Sequence, residues 1–229
     1  MRKLHIIIIY ILFGVLSASA QDTKHLREQL KLANEMLSYF PDSTDLRLRK
    51  AALNIELQEW EYAKNEYDYI LDRHPDNISA LFYRAYVNER LLRYGFARQD
   101  YEYLLSLVPG NLEAQLGLAL LNQKDKRYTE AMDMMNQLVE KHPKTAMLYA
   151  ARGNMERERG MYSLAEYDYT IAMELAPKNT DYIVNRADVR ILQGLKKEAL
   201  SDLKLLEQKG INHSALKDFY KRVKKLKDN

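Results

Sequence analysis

An all-α fold built from repeated helix hairpins is predicted by three observations. Every proline lies in one register, Pro41, Pro75, Pro109, Pro143 and Pro177, each 34 residues after the last. Small residues keep the same beat, at Ala51, Ala85, Ala119, Gly153 and Ala187 and again at Ala63, Ala97, Ala131, Ala165 and Ala199. Between them apolar residues recur at helical spacing, as in Ala97, Tyr101, Leu104 and Leu105, and no stretch alternates as a strand does. A fixed period of this length marks an internal repeat in which each unit buries its apolar face against its neighbours.

Each recurrent position has a job in a hairpin. The prolines stop one helix, and Ser43, Asn77, Asn111, Thr145 and Asn179, two residues on, are placed to cap the next. The small residues let two helices approach closely, and Trp60, Tyr94, Tyr128 and Tyr162 fill the space around that contact. The repeats are expected at 44–77, 78–111, 112–145, 146–179 and 180–212. Residues 21–43 are expected to form an N-terminal capping helix with Leu26, Leu30, Ala33 and Leu37 on one face. Residues 213–229 are expected to form a basic C-terminal capping helix, its apolar face carrying Leu216, Phe219, Tyr220, Val223 and Leu226.

Residues 1–20 have the parts of a secretory signal: Arg2 and Lys3, an apolar run from Leu4 to Leu16, and Ala18-Ser19-Ala20 before Gln21. The run is shorter than the roughly 20 residues that span a bilayer. The expectation is export to a periplasm or beyond, with no stable membrane insertion after cleavage. Cysteine is absent, which excludes disulfides and thiolate chemistry. A net charge of +3 gives no argument for nucleic acid as a partner.

The stretch AKNEYDYILDRHPDN, starting at Ala63, sets acids beside tyrosines, and ARQDYEYLLSLVPGN and AEYDYTIAMELAPKN echo it. Aligning the copies puts Glu66, Asp100, Met134, Asp168 and Asp202 in one register and Lys50, Arg84, Leu118, Arg152 and Arg186 in another. Base and acid change together to two apolar residues at Leu118 and Met134, as a direct contact in a partly buried place requires. The predicted ion pairs are Lys50 with Glu66, Arg84 with Asp100, Arg152 with Asp168, and Arg186 with Asp202. Tyr67, Tyr101 and Tyr169 read as core, and Tyr69, Tyr103 and Tyr167 as freer. His25, His74, His142 and His213 are far apart with no metal-ligand spacing. Two serine–lysine spacings, at Ser201 and Ser214, lack any companion motif, and no phosphate loop is present. No catalysis, metal or cofactor is expected.

The period, the small residue of the first helix, the aromatic and alanine opening the second and the closing proline together resemble the tetratricopeptide repeat, from Thr44 to about Asn212. The resemblance is incomplete: the aromatic that often opens the first helix is matched by Tyr149 only, and the last copy lacks its aromatic and its proline. It implies a right-handed superhelical α-solenoid whose first helices line a concave face. On this chain that face would carry Leu48, Ala52 and Ile55, then Phe82, Tyr86 and Glu89, then Leu116, Leu120 and Gln123, then Met147, Ala150, Asn154 and Arg157, then Val184 and Asp188. Leu48, Phe82, Leu116 and Ala150 stand where the family's carboxylate-binding members need lysine, which argues against that use. An apolar peptide or helix as ligand fits better, centred on Phe82, Tyr86, Leu116 and Leu120, with Asn154 and Arg157 as polar contacts. The function expected is a non-enzymatic protein-binding scaffold of the cell envelope. The alternative is a surface-associated component of an envelope assembly, held by the basic last helix.

Overall fold

The structure is a computed structural model that describes residues 20–227, so the signal-like segment lies outside the described residues but for Ala20. Twelve α-helices and one 3₁₀ turn make up the described chain, with no strand among them. It divides into two compact units meeting in sequence at Leu107 and Val108. The first holds α1 (Ala20–Tyr39), α2 (Thr44–Glu56), α3 (Trp60–Arg73), α4 (Ile78–Arg90) and α5 (Tyr94–Leu107). The second holds α6 (Leu112–Lys124), α7 (Tyr128–Lys141), α8 (Ala146–Glu158), α9 (Tyr162–Leu175), α10 (Asp181–Leu192), α11 (Lys196–Gln208), the 3₁₀ turn His213–Leu216 and α12 (Lys217–Lys224). Within each unit every helix packs on its neighbours in the chain.

Close helix approach follows from the small residues. Ala51, Ala63, Ala85, Ala97, Ala119, Ala131, Ala165, Ala187 and Ala199 have no exposed surface. At Gly153 the approach is tightest: a methyl group there would lie 3.2 Å from the Tyr169 ring and 3.3 Å from the Ala165 carbonyl oxygen. Tyr67, Tyr101 and Tyr169, at most 2% exposed, fill the space beside these contacts.

Hairpin geometry is set by two local devices. Ser43, Asn77 and Asn111 accept a hydrogen bond from the amide three residues on, at 3.4, 2.9 and 2.8 Å. Thr145 does not, because the amide it would cap, that of Leu148, donates instead to the Thr145 carbonyl at 3.0 Å. Asn179 also departs from its expected role. The next helix begins one residue later, with Thr180 at the cap position, and Asn179 accepts from the Asp181 amide at 3.0 Å. The second device closes the first helix. Gln58, Leu92, Lys126, Gly160 and Gly194 all have positive φ, and the residue after each donates back across the turn, as Glu59 to the Asn54 carbonyl at 2.7 Å and Met161 to Glu156 at 2.9 Å.

The ends differ from the repeats. Helix α1 buries Ala33 and Leu37 and leaves Leu32, Met36 and Tyr39 exposed, as is Phe40 just after it. The C-terminal cap, expected as one helix, is a 3₁₀ turn followed by α12. At the junction Leu216 stands at φ −95° and ψ 1°, and the start of the turn is held by His213, which pairs with Glu207 at 2.6 Å and stacks on Tyr220.

The left-handed turn position separates the early repeats from the late ones. A left-handed backbone costs an L-residue roughly 1–2 kcal/mol that glycine avoids. Leu92, at φ 59° and 73% exposed, gives up little packing when removed. Leu92→Gly is therefore expected to raise stability by about 0.5–1 kcal/mol and Gly160→Ala to lower it by about 1, read from urea midpoints at constant m-value.

Candidate functional site

The aligned bases and acids meet between the two helices of their repeats. In the first unit Lys50 Nζ lies 2.8 Å from Glu66 Oε1, and Arg84 donates from Nε and Nη2 to the two oxygens of Asp100 at 2.9 and 2.7 Å. In the second, Arg152 grips Asp168 at 2.7 and 2.8 Å, and Arg186 grips Asp202 at 3.2 and 2.6 Å. The carboxylates are the deep partners: Asp100, Asp168 and Asp202 are 5%, 1% and 1% exposed. Hydrogen bonds to Asp168 hold the Arg152 guanidinium above its ordinary pKa against the opposing effect of burial.

Each arginine also makes a bond that the copy-by-copy alignment did not reveal. Its third nitrogen, Nη1, reaches back 16 residues to the second helix of the preceding repeat. Arg84 donates to Asp68 at 2.9 Å, Arg152 to Asn136 at 3.1 Å and Arg186 to Thr170 at 3.0 Å. The acceptors share one register but differ in type, which hid them. Asp68 is held again by Lys64 at 2.6 Å. Two open hollows of about 540 and 520 Å³ are lined by Arg84, Asp68, Gln99 and Asp100, the first also by Tyr103 and the second by Phe96.

The remaining acid–tyrosine residues are structural too. Tyr69, expected to be freer than the core tyrosines, lies between two guanidinium groups, with Arg47 Cζ 3.3 Å and Arg73 Cζ 3.7 Å from the ring centroid. Its hydroxyl donates to Asp42 at 2.6 Å, so the tyrosine clamps the α1–α2 connection onto α3. Tyr103 and Tyr167 are exposed.

Glu156 stands out electrostatically. It occupies the register of Asn54, Asn88 and Asn122, and it is 5% exposed with Oε2 unpartnered. Burial, reinforced by the Asp168 charge and opposed by Arg152, pushes its carboxyl up to about 7.

The expected ligand-facing residues are placed separately in the two units. In the first, Phe82 is half-buried and meets Tyr83 and Tyr101 edge-on at 5.4 and 5.8 Å. Tyr86 is 8% exposed, edge-on to Trp60 at 6.2 Å, with Arg90 over the Trp60 ring. Leu48 and Ala52 are half-buried beside them in sequence register, and Glu89 is buried. In the second unit, Leu116 has no exposed surface and so offers none to a ligand, a correction to its expected central place. Gln123 is buried and donates to Glu158 at 3.1 Å. Leu120 and Met147 are half-buried. The expected polar contacts have internal partners: Asn154 accepts from the Tyr169 hydroxyl at 2.7 Å, and Arg157 pairs with Asp188, which also takes Arg222 at 2.7 Å. Among the described residues no group of three or more His, Asp or Glu converges to hold a metal, and no helix is long and apolar enough to cross a membrane.

Two outcomes follow from these charges. Removing one partner of a buried pair costs about 3–5 kcal/mol, whereas replacing both by apolar groups is close to neutral. Asp168→Met is expected to fall in that range and Arg152→Leu/Asp168→Met to regain most of the loss, as the native Leu118 and Met134 combination implies; urea denaturation of the three proteins decides it. Because the Glu156 pKa is raised in the folded state, its neutral form favours folding. That contribution is present below pH 4.5 and is lost as pH rises through about 7. Glu156→Gln is expected to remove this loss, so that the gap in urea midpoint between variant and wild type widens from pH 5 to pH 8.

The tetratricopeptide-repeat family model matches residues 93–155. No curated protein matches the sequence. Among solved structures, a tetratricopeptide repeat protein from Parabacteroides merdae is 26% identical, with a TM-score of 0.74 over 87% of this chain and 78% of that one. A thermophilic tetratricopeptide-repeat protein of Thermus thermophilus is 19% identical, with a TM-score of 0.63 over 79% of this chain and 99% of its own. YrrB, described as a tetratricopeptide-repeat protein with an unusual peptide-binding site, is 18% identical, with a TM-score of 0.52 over 80% and 94%. Residues 93–155 are thus tetratricopeptide repeat by sequence, and the chain has the all-α, stacked-hairpin fold of tetratricopeptide-repeat proteins.

Proposed function

We propose that the protein is an exported scaffold that binds an apolar peptide or helix through the first-helix surface of its N-terminal unit. The scaffold role is general to the fold; the ligand class and the place are this chain's own. The observation that carries the reading is the half-buried Phe82, one turn before Tyr86 on α4, with Tyr86 edge-on to Trp60, the half-buried Leu48 and Ala52 at the same two registers of the preceding repeat, and Arg90 exposed over the Trp60 ring. Aromatic anchors with a charged rim are the usual composition of a peptide-binding surface. The peptide-binding site described for YrrB is compatible with such a use of the fold. In the second unit, Leu120 and Met147 are half-buried, and Asn154 and Arg157 are held by Tyr169 and Asp188. Export is supported by the tripartite segment 1–20, whose cleavage would leave a mature chain beginning at Gln21 in the periplasm or outside the cell.

The test is photo-crosslinking in fractionated cells, with the crosslinking residue at position 52 or at position 62 and the N-terminus read by mass spectrometry. A processed N-terminus and a partner captured at 52, at least about tenfold weaker in Phe82→Ala, are expected from the loss of one anchor. Capture at 62 alone would sink the site. Undiminished capture by a folded Phe82→Ala protein would do the same, and an intact N-terminus in the cytosolic fraction would sink export.

A further inference from the structure

We propose that the C-terminal helix α12 docks the protein on an anionic phospholipid bilayer at the level of the headgroups. The helix is amphipathic, and its apolar side is already used: Leu216 and Val223 are 2% and 1% exposed in a core shared with α10 and α11, and Phe219, Tyr220 and Leu226 pack against it. Lys196 Nζ donates to the Leu226 carbonyl at 3.2 Å and ties down the end. The arginine of the segment faces inward, with Arg222 held by Asp188 at 2.7 Å. What remains outward is lysine. Lys217, Lys221, Lys224 and Lys225 recur at the spacing of one helical face, Lys227 follows, and all are exposed. Asp218 is the exposed acid of this helix, and Glu207 on the adjoining α11 is engaged by His213.

Capping the array does not account for this face. A terminal helix needs a polar outer surface, which mixed charges supply without self-repulsion. Helix α1, at the other end, does it that way: Lys24, Glu28, Lys31 and Glu35 are exposed and of both signs. The helix dipole accounts for Lys221 and Lys224 in the last turn but disfavours Lys217 at the first position. A row of lysines is a set of mobile point charges without the planar fork that selects a particular carboxylate. Such a row matches a fluid surface of diffuse negative charge. With the apolar side of α12 buried in the fold, binding is superficial and is screened by salt.

The experiment is co-sedimentation of the full chain with vesicles of phosphatidylcholine containing 30 mol% phosphatidylglycerol, or none, so that any contribution of the apolar segment 1–20 appears in both. Each lysine near an anionic surface contributes roughly fivefold in affinity. Lys217→Gln/Lys221→Gln/Lys224→Gln is therefore expected to bind the anionic vesicles on the order of a hundredfold more weakly. Its circular dichroism should be unchanged, and Lys24→Gln/Lys31→Gln on α1 should bind as wild type does. Binding that is indifferent to phosphatidylglycerol, or equal in the triple variant, would overturn the proposal. Tighter binding to poly-glutamate than to the anionic vesicles would overturn it in favour of an acidic protein partner.

Discussion

A row of nearly inaccessible carboxylates is the constraint around which each unit is organised. An ionised aspartate at 1% exposure is tolerable only when a cation and several hydrogen bonds replace the water it has lost. The guanidinium fork supplies them, and because it is rigid it does more than neutralise. Two nitrogens fix the second helix of a repeat against the first, and the third reaches the repeat before it, as Arg152 does between Asp168 and Asn136. Hairpin geometry and repeat spacing are thereby set by one side chain. Lysine lacks the planar fork that grips both oxygens of one carboxylate. At Lys50 a second donor to that carboxylate comes from Arg47, which also reaches Glu66, at 2.7 Å.

The same constraint explains the places where the pattern lapses. Leu118 and Met134 replace both members at once, which leaves no buried charge behind, and Asn122 turns its amide to the Met134 sulfur at 3.3 Å. Glu156 is the opposite case, an acid added to a pair already complete. Asp168 is satisfied by Arg152, so a second negative charge beside it has no cation of its own. The proton that the raised pKa retains is the cheapest remedy, and near neutral pH it is only partly available. One repeat of the second unit therefore carries a pH sensitivity that the asparagines in the same register avoid.

Much of this was legible in the residues, for a physical reason. The prolines, the alanines and the base–acid register each do a job that few residue types can do, so they repeat with little variation. Jobs open to several types left no such trace. Asp68, Asn136 and Thr170 all accept from an arginine Nη1, and no single residue type marks that register. The position opening the first helix behaves similarly. Arg47, Gln115 and Tyr149 donate to the carbonyl of the proline six residues earlier, so a family aromatic is dispensable wherever another donor reaches. Tyr69 was illegible because its partners, Arg47 and Arg73, come from different helices. Leu116 was misplaced because its register in the first helix gives half-buried Phe82 in one repeat and a fully buried residue in another.

The registers of the first helices that hold the frame differ from those proposed to meet a partner. Positions that support the fold repeat: alanine or glycine at the close approach and arginine at the fork. The registers a turn away do not repeat. Ala52, Tyr86, Leu120, Asn154 and Asp188 share one place in their repeats, yet they are a methyl group, a phenol, a branched alkane, an amide and a carboxylate. Their partners within the fold differ as well: Tyr86 meets Trp60, Asn154 accepts from Tyr169, and Asp188 holds Arg157 and Arg222. Because the fork and the close approach secure the hairpins independently, this register is free to differ along each unit. A surface that varies while its frame repeats can encode selectivity for one partner without altering the frame.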